Sequence, residues 1–156
     1  MLSVKSLEKV YTNPGQPPVC VVDHIDFSVP RGQTLCLIGS SGCGKPTTLI
    51  MLNRLIAPTS GDILFQDRLV QDYNETELRR QMGYVIQEGG LFPHMTIAQN
   101  IGLLCSLEGW SKKKVSDRVV YLLEQMKLPS SFQTRYPEEL SGGQRQRVSI
   151  ARALSL

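Results

Sequence analysis

The rhythm of apolar positions changes once along the 156 residues. Before Thr96 strand-like alternation and short apolar blocks are mixed with helical stretches, and after it the spacing is helical throughout. Ile25, Phe27 and Val29 alternate with Asp26 and Ser28, which predicts a half-buried strand over Val19 to Val29. Val4 to Tyr11 reads as a shorter strand, and Asn13-Pro14-Gly15-Gln16-Pro17-Pro18 between the two can only turn. Pro30-Arg31-Gly32-Gln33 then leads into Thr34-Leu35-Cys36-Leu37-Ile38. That block is apolar on both faces, the pattern of a central strand in a parallel sheet. A helical pattern follows from Thr47 to Ile56, stopping before Pro58. Short strands are predicted at Asp62 to Phe65 and Gly83 to Ile86, with a helix from about Glu75 to Gln81 between them.

From Thr96 onward no strand pattern is left. Thr96 with Gln99 forms a capping box, and Ile97, Ile101 and Leu104 line one face of the helix it opens. Ser111 caps a second helix, in which Val115, Val119, Leu122 and Met126 share a face. Lys112, Lys113 and Lys114 open that helix against its dipole, as a solvated face or as a contact for an acidic partner. Pro129 and Pro137 bracket an irregular link, and a last helix begins near Ser141.

Composition narrows the class without naming it. Hydrophobic residues are 41% and charged ones 20%, enough for a core and too mixed for a disordered tail. The net charge of +3 is too small to suggest a nucleic-acid binder. No apolar run approaches the roughly 20 residues that span a bilayer, and Lys5, Glu8 and Lys9 interrupt any signal-peptide core. The expectation is a soluble, unexported chain. Cys20, Cys36, Cys43 and Cys105 form no CxxC pair and read as free thiols, while His24 and His94 lie in no metal motif. Trp110, the one tryptophan, follows Gly109 at a helix corner, where packing is its expected role.

The chemistry is concentrated in two glycine-rich stretches. Gly39-Ser40-Ser41-Gly42-Cys43-Gly44-Lys45 matches GxxxxGK between a buried strand and a helix. Glycines let backbone N–H groups curl around phosphate oxygens, the helix start adds its positive end, and the lysine neutralises phosphate charge. The next position normally carries the Ser or Thr hydroxyl that binds Mg²⁺, and here it is Pro46. Proline brings neither hydroxyl nor N–H, although a helix tolerates it in its first turn. In the second stretch, Leu140-Ser141-Gly142-Gly143-Gln144, Ser141 and Gln144 make a capping box around two glycines. A cap alone has no use for two glycines that each cost a helix about 1 kcal/mol. They leave a second unshielded, anion-attracting helix start.

Along its whole length and in order, the chain resembles the nucleotide-binding subunits of ABC transporters. Gly39 to Lys45 corresponds to Walker A, Gln87 to the Q-loop glutamine, and Leu140 to Gln144 to the LSGGQ signature; Tyr11 corresponds to the aromatic residue that stacks on adenine. The resemblance implies an α/β, P-loop NTPase ABC-type cassette, N-terminal part only, with an antiparallel β-subdomain, a partial parallel core sheet and a helical subdomain. It assigns residues 1–87 to the β-subdomain and P-loop core, 88–139 to the helical subdomain and 140–156 to the signature helix. It implies ATP with Mg²⁺, held by Tyr11, Gly39, Ser40, Ser41, Gly42, Cys43, Gly44, Lys45, Thr47, Thr48, Gln87, Ser141, Gly142, Gly143 and Gln144. Gln87 is then the remaining metal contact, and metal binding is impaired by Pro46. A second cassette subunit would face the first across two ATP molecules. A membrane-spanning permease would dock at the Q-loop and helical-subdomain surface, placing the chain in the cytoplasm at the inner face of the cell membrane.

Leu91-Phe92-Pro93 is then an exposed contact for that permease, or else a buried loop anchor. The stretch from Gly83 to Thr96, with Met51 to Ile56 and Leu78-Arg79-Arg80, looks most like importers of quaternary amines such as glycine betaine, choline or carnitine; amino-acid importers come close. Within the 156 residues no hydrophobic run ends in Asp-Glu, so the family's Walker B carboxylates and switch histidine have no counterpart. The catalytic set is therefore none, and whether the chain is an ATPase stays open. An importer subunit truncated after the signature, a partial cassette that binds nucleotide or permease without hydrolysis, and a soluble ABC protein of repair or translation are the competing readings.

Overall fold

The structure, a computed structural model, describes residues 1–87 and 89–156. It divides into two compact units, Met1–Arg79 and Arg80–Leu156. Among the described residues no helix is long and apolar enough to cross a membrane.

The first unit is built on one four-stranded antiparallel sheet of order β2-β1-β3-β4, with β1 Leu2–Tyr11, β2 Val19–Val29, β3 Ser60–Phe65 and β4 Arg68–Leu69. β1 sits between β2 and β3, with Val4 opposite Phe27 on one side and Ile63 on the other. Val4, Leu7, Val22 and Ile63 of the sheet are buried, as are Met51 and Leu78. The ladder is interrupted near Ser6 and His24, both at positive φ, as β-bulges commonly are. The bulge leaves no orphan donor at Ser6, because its N–H reaches the Asp26 carboxylate at 2.9 Å. Two helices complete the unit: α1 Lys45–Leu52 and α2 Glu75–Gln81, whose last two residues fall in the second unit.

Strand and helix limits depart from the sequence pattern in instructive places. β1 begins at Leu2 rather than Val4 because Leu2 has partners on both sides, Val29 and Phe65. β3 begins at Ser60, opposite Glu8, whose carboxylate accepts from the Ser60 hydroxyl at 2.8 Å. α1 ends at Leu52, four residues short of Ile56, because Arg54 turns to φ 51°. Its guanidinium then donates to the Val70 and Tyr73 carbonyls.

Two expected strands are absent. Thr34 to Ile38 and Gly83 to Ile86 lie in no ladder, and the described residues contain no parallel pair, so the partial parallel core sheet is not formed by them. Hydrophobic alternation makes a segment compatible with a sheet, but only neighbouring strands satisfy its N–H and C=O groups. Ile38 is 92% exposed, and Leu35 is exposed as well. Exposed β-prone apolar residues favour association. Ile38→Ser is therefore expected to raise the soluble fraction after heating while changing the unfolding free energy by less than about 0.5 kcal/mol. Light scattering and urea denaturation check both halves of that expectation.

The second unit is helical: α3 Ile97–Leu107, α4 Lys112–Gln125 and α5 Gly142–Ala153. The caps read from sequence are present. Thr96 and Gln99 form their reciprocal box, Ser111 accepts from Lys114 N–H, and Ser141 and Gln144 form a second box. Ile97, Ile101, Val119, Leu122, Leu123, Phe132, Leu140 and Val148 make one core. α3 and α4 approach closely at Gly102, where a Cβ would lie 2.6 Å from Val115.

Candidate functional site

The phosphate loop lies between β2 and α1 in the first unit. Gly44 is the N-cap of α1, left-handed at φ 85°, and contributes no side-chain cap. Its fit against β2 admits no side chain, since a Cβ there would stand 2.3 Å from the Val21 carbonyl oxygen. The helix starts at Lys45 with Pro46 in its first turn, so proline does not prevent the helix from forming. This start is two residues earlier than the hydrophobic pattern suggests, because apolar spacing is blind to a glycine cap.

Lys45 folds back across the loop. Its Nζ donates to the carbonyls of Gly39 at 2.8 Å and Ser40 at 2.7 Å, with the Cys43 Sγ at 3.4 Å. The Cys43 N–H closes a turn onto the Ser40 carbonyl at 3.4 Å. The ammonium thus rests on the loop that a phosphate would fill, and Ser40, Ser41, Gly42 and Cys43 are exposed around it. With no side chain on the cap, N–H groups of the first helical turn lack intrahelical acceptors, except at Pro46, which has none. That donor set fits a phosphate. It fits a metal poorly: Pro46 has no hydroxyl, and Thr48 is buried with its hydroxyl donating to the Gly44 carbonyl at 3.1 Å. Thr47 is half-buried.

Tyr11 ends β1, the residue 41% exposed, with Lys9 Nζ 5.2 Å from its ring centroid. One face of that ring is therefore already attended by a cation. The Lys9 ammonium is fixed there by the Ala57 carbonyl at 2.7 Å.

In the second unit the signature forms the start of α5. Ser141 Oγ accepts from Gln144 N–H at 3.3 Å, and Gln144 Oε1 accepts from Ser141 N–H at 2.8 Å. The box leaves Gly142 and Gly143, both exposed, with first-turn N–H groups that no helix carbonyl can reach. A Cβ at Gly143 would meet nothing within 4 Å, so this glycine leaves an open approach to the backbone.

Gln87 is exposed in a turn preceding Gly89. Glu88 lies outside the described residues. The loop after it is held by α5: Ser149 Oγ donates to the Gly89 carbonyl, and Arg152 to the Gly90 carbonyl at 2.9 Å. Burial lowers the Arg152 pKa from its ordinary value. Leu91 packs against the core while Phe92 and Pro93 are exposed, so this stretch is anchor and contact at once.

Sequence reading passed over Asn100. Fully buried on the apolar face of α3, it accepts from Phe92 N–H at 2.8 Å and donates to the carbonyls of Phe92, Met95 and Thr96. The signal available was a lone amide three residues after Ile97, inside the apolar stripe. Beside it, an apolar groove of about 700 Å³ runs between α3 and α4, lined by Met95, Ala98, Gly102, Trp110 and Val115. The four cysteines are free, and the described residues contain no cluster of His, Cys, Asp or Glu suited to a metal.

Residues 22–156 match the family model described as ABC transporter. The chain is 44% identical over 156 residues to the osmoprotectant import ATP-binding protein OsmV of Salmonella typhimurium, covering 99% of this chain and 41% of that protein. It is 44% identical over 155 residues to the glycine betaine/carnitine/choline transport ATP-binding protein OpuCA of Bacillus subtilis, covering 99% and 40%. The chain thus spans about two fifths of the length of these curated relatives. A dimeric structure of the ATP-binding cassette MJ0796, in a post-hydrolysis state bound to ADP and Pi, is similar with a TM-score of 0.88 at 29% identity, over 99% of this chain and 69% of that one.

Proposed function

Because the chain belongs to the ABC transporter family, with an α/β P-loop cassette fold, we propose that it is the nucleotide-binding portion of an importer's ATP-binding subunit, and that the imported solutes are quaternary amines. The observation that carries the nucleotide reading is the phosphate loop, where the Lys45 ammonium, the Gly44 cap and the α1 start meet in one short glycine-rich segment. In this reading Gly39 to Lys45, with Thr47, cradle the phosphates of ATP, Thr48 braces the loop from behind through its two bonds to the Gly44 carbonyl, and Tyr11 stacks on the base. Ser141, Gly142, Gly143 and Gln144 present the second anion-binding start to the nucleotide of a partner cassette. Gln87 contributes to the metal. The solute class comes from the relatives' names and from no residue that would touch a solute.

A permease would dock at the Q-loop and helical-subdomain surface, where Phe92 and Pro93 are exposed, holding the protein on the inner face of the cell membrane. Mg²⁺, when bound, would supply charge stabilisation for phosphoryl transfer. Pro46 removes one hydroxyl ligand for it, which favours nucleotide binding with little turnover by these 156 residues. The subdivision into residues 1–87, 88–139 and 140–156 belongs to the same proposal.

Titration of the purified chain with a fluorescent ATP analogue tests it. Saturable binding displaced by ATP is expected, weakened at least 10-fold in Lys45→Ala, since a bond to a charged group is worth about 1.5–3 kcal/mol. Phosphate release should not exceed that of Lys45→Ala. Equal affinity in both proteins would remove the loop from the nucleotide site.

A further inference from the structure

The corner between α3 and α4 combines features that neither nucleotide binding nor helix stability calls for. Leu107, at the end of α3, is 66% exposed. Gly109, at φ 74°, turns the chain, and the corner is closed by Trp110 N–H on the Cys105 carbonyl at 3.1 Å. Lys112, Lys113 and Lys114 fill the first turn of α4, all exposed, with no acidic residue in that turn. Three cations at the positive end of a helix oppose its dipole and weaken it. Among the described residues none of the three makes an ion pair. Glu108, the carboxylate within the corner, is taken by Arg80 at 2.8 Å. The next carboxylate, Asp117, is one turn further along α4 and followed directly by Arg118.

We propose that this corner docks on an anionic phospholipid surface, with Lys112, Lys113 and Lys114 among the headgroup phosphates and Trp110 and Leu107 at the level of the acyl boundary. Each part fits that occupant. An aromatic ring with an apolar body, a neighbouring leucine and clustered lysines form an interfacial composition. Lys114 Nζ stands 3.6 Å from the Trp110 ring centroid, so ring and ammonium present together. Trp110 is half-buried along the α3–α4 groove, so the discriminating residue is Leu107: an acidic peptide would use the lysines but leave Leu107 idle, and a merely solvated face would not need it. Each lysine near an anionic membrane adds roughly five-fold to binding, an attraction screened beyond a Debye length. The proposal is independent of nucleotide binding.

Trp110 is the one tryptophan of the chain, so its emission reports on this corner alone. The full chain would be titrated with vesicles of phosphatidylglycerol in phosphatidylcholine, and with phosphatidylcholine alone. The expected result is a blue shift with anionic vesicles at low salt, reversed at about 0.5 M salt, where screening acts within a few ångströms. Lys112→Gln with Lys113→Gln should weaken vesicle binding roughly 10- to 30-fold. Lys5→Gln with Arg31→Gln removes the same charge from exposed positions in the first unit and should change little. Leu107→Ser should weaken binding while leaving its salt dependence intact. An equal shift with neutral vesicles, equal loss in both double variants, or no effect of Leu107→Ser would overturn the proposal. So would a soluble acidic polypeptide giving the same blue shift, which would make the partner a protein.

Discussion

Gly44→Ala is expected to abolish nucleotide binding and to destabilise the first unit by several kcal/mol. Two costs combine at this one residue. A side chain at φ 85° carries the left-handed penalty of about 1–2 kcal/mol. The added methyl would also stand 2.3 Å from the Val21 carbonyl oxygen and 3.0 Å from the Val22 side chain, so α1 and β2 must separate. Overpacking of that kind typically costs about 1–3 kcal/mol, and here the obstacle is backbone, which cannot swing aside. The sum is a large share of the roughly 5–15 kcal/mol that stabilises a domain. Separation also moves the Gly44 carbonyl, which accepts both the Thr48 N–H and the Thr48 hydroxyl, and so disorders the start of α1. Gly32→Ala is the control: its φ of 78° carries the same strain, but nothing lies within 4 Å of the new methyl. Urea denaturation should separate the two variants by at least about 1 kcal/mol. Equal losses would mean that the contact with β2 is not tight.

Much of this was legible in the sequence because it is local. A cap is a relation between residues three apart, so both capping boxes and the Ser111 cap could be read directly. The span of α2 and the run of β2 follow likewise from short-range pattern. The phosphate loop and the signature were legible because backbone access to an anion demands glycine at fixed spacing. What escaped depends on distant partners. The ladder of a strand belongs to its neighbours, so Thr34 to Ile38 has the composition of a central strand without being one here. The early start of β1 and β3 is likewise decided by residues about 60 positions away, as in Leu2 with Phe65. Asn100 escaped because a buried amide is recognised by the four backbone groups it satisfies, and none of those carries a side-chain signature. Lys45 was recognised as a phosphate ligand, but its rest position on the Gly39 and Ser40 carbonyls is visible only in three dimensions.

That rest position bears on the second large effect, which concerns Pro46. The helix accepts the proline, so its consequence falls on the ligand rather than on the fold. A serine at this position would add one backbone N–H in the first turn, where donors have no intrahelical acceptor. It would also add a hydroxyl in the first turn of α1, at the position where the phosphate-loop motif carries its metal ligand. A hydrogen bond to a charged group is worth about 1.5–3 kcal/mol, so the recovered donor alone should tighten nucleotide binding roughly 10- to 150-fold. The hydroxyl should make binding more dependent on Mg²⁺, because no neighbour can stand in for it. Thr48 is buried and its hydroxyl is committed to Gly44, and Thr47 lies one residue further round the helix. Stability should move by less than about 0.5 kcal/mol, since the residue is exposed and sits in the first turn of α1, where an N–H has no intrahelical acceptor to gain or lose. Turnover should stay at the level of Lys45→Ala, because a metal ligand alone supplies no group to orient the attacking water. Pro46→Ser and the parent chain would be titrated with ATP in Mg²⁺ and in EDTA, with phosphate release followed in parallel. Equal affinities and equal metal dependence would show that proline withholds nothing the phosphate or metal uses, and that the open first turn of α1 is not where the nucleotide sits.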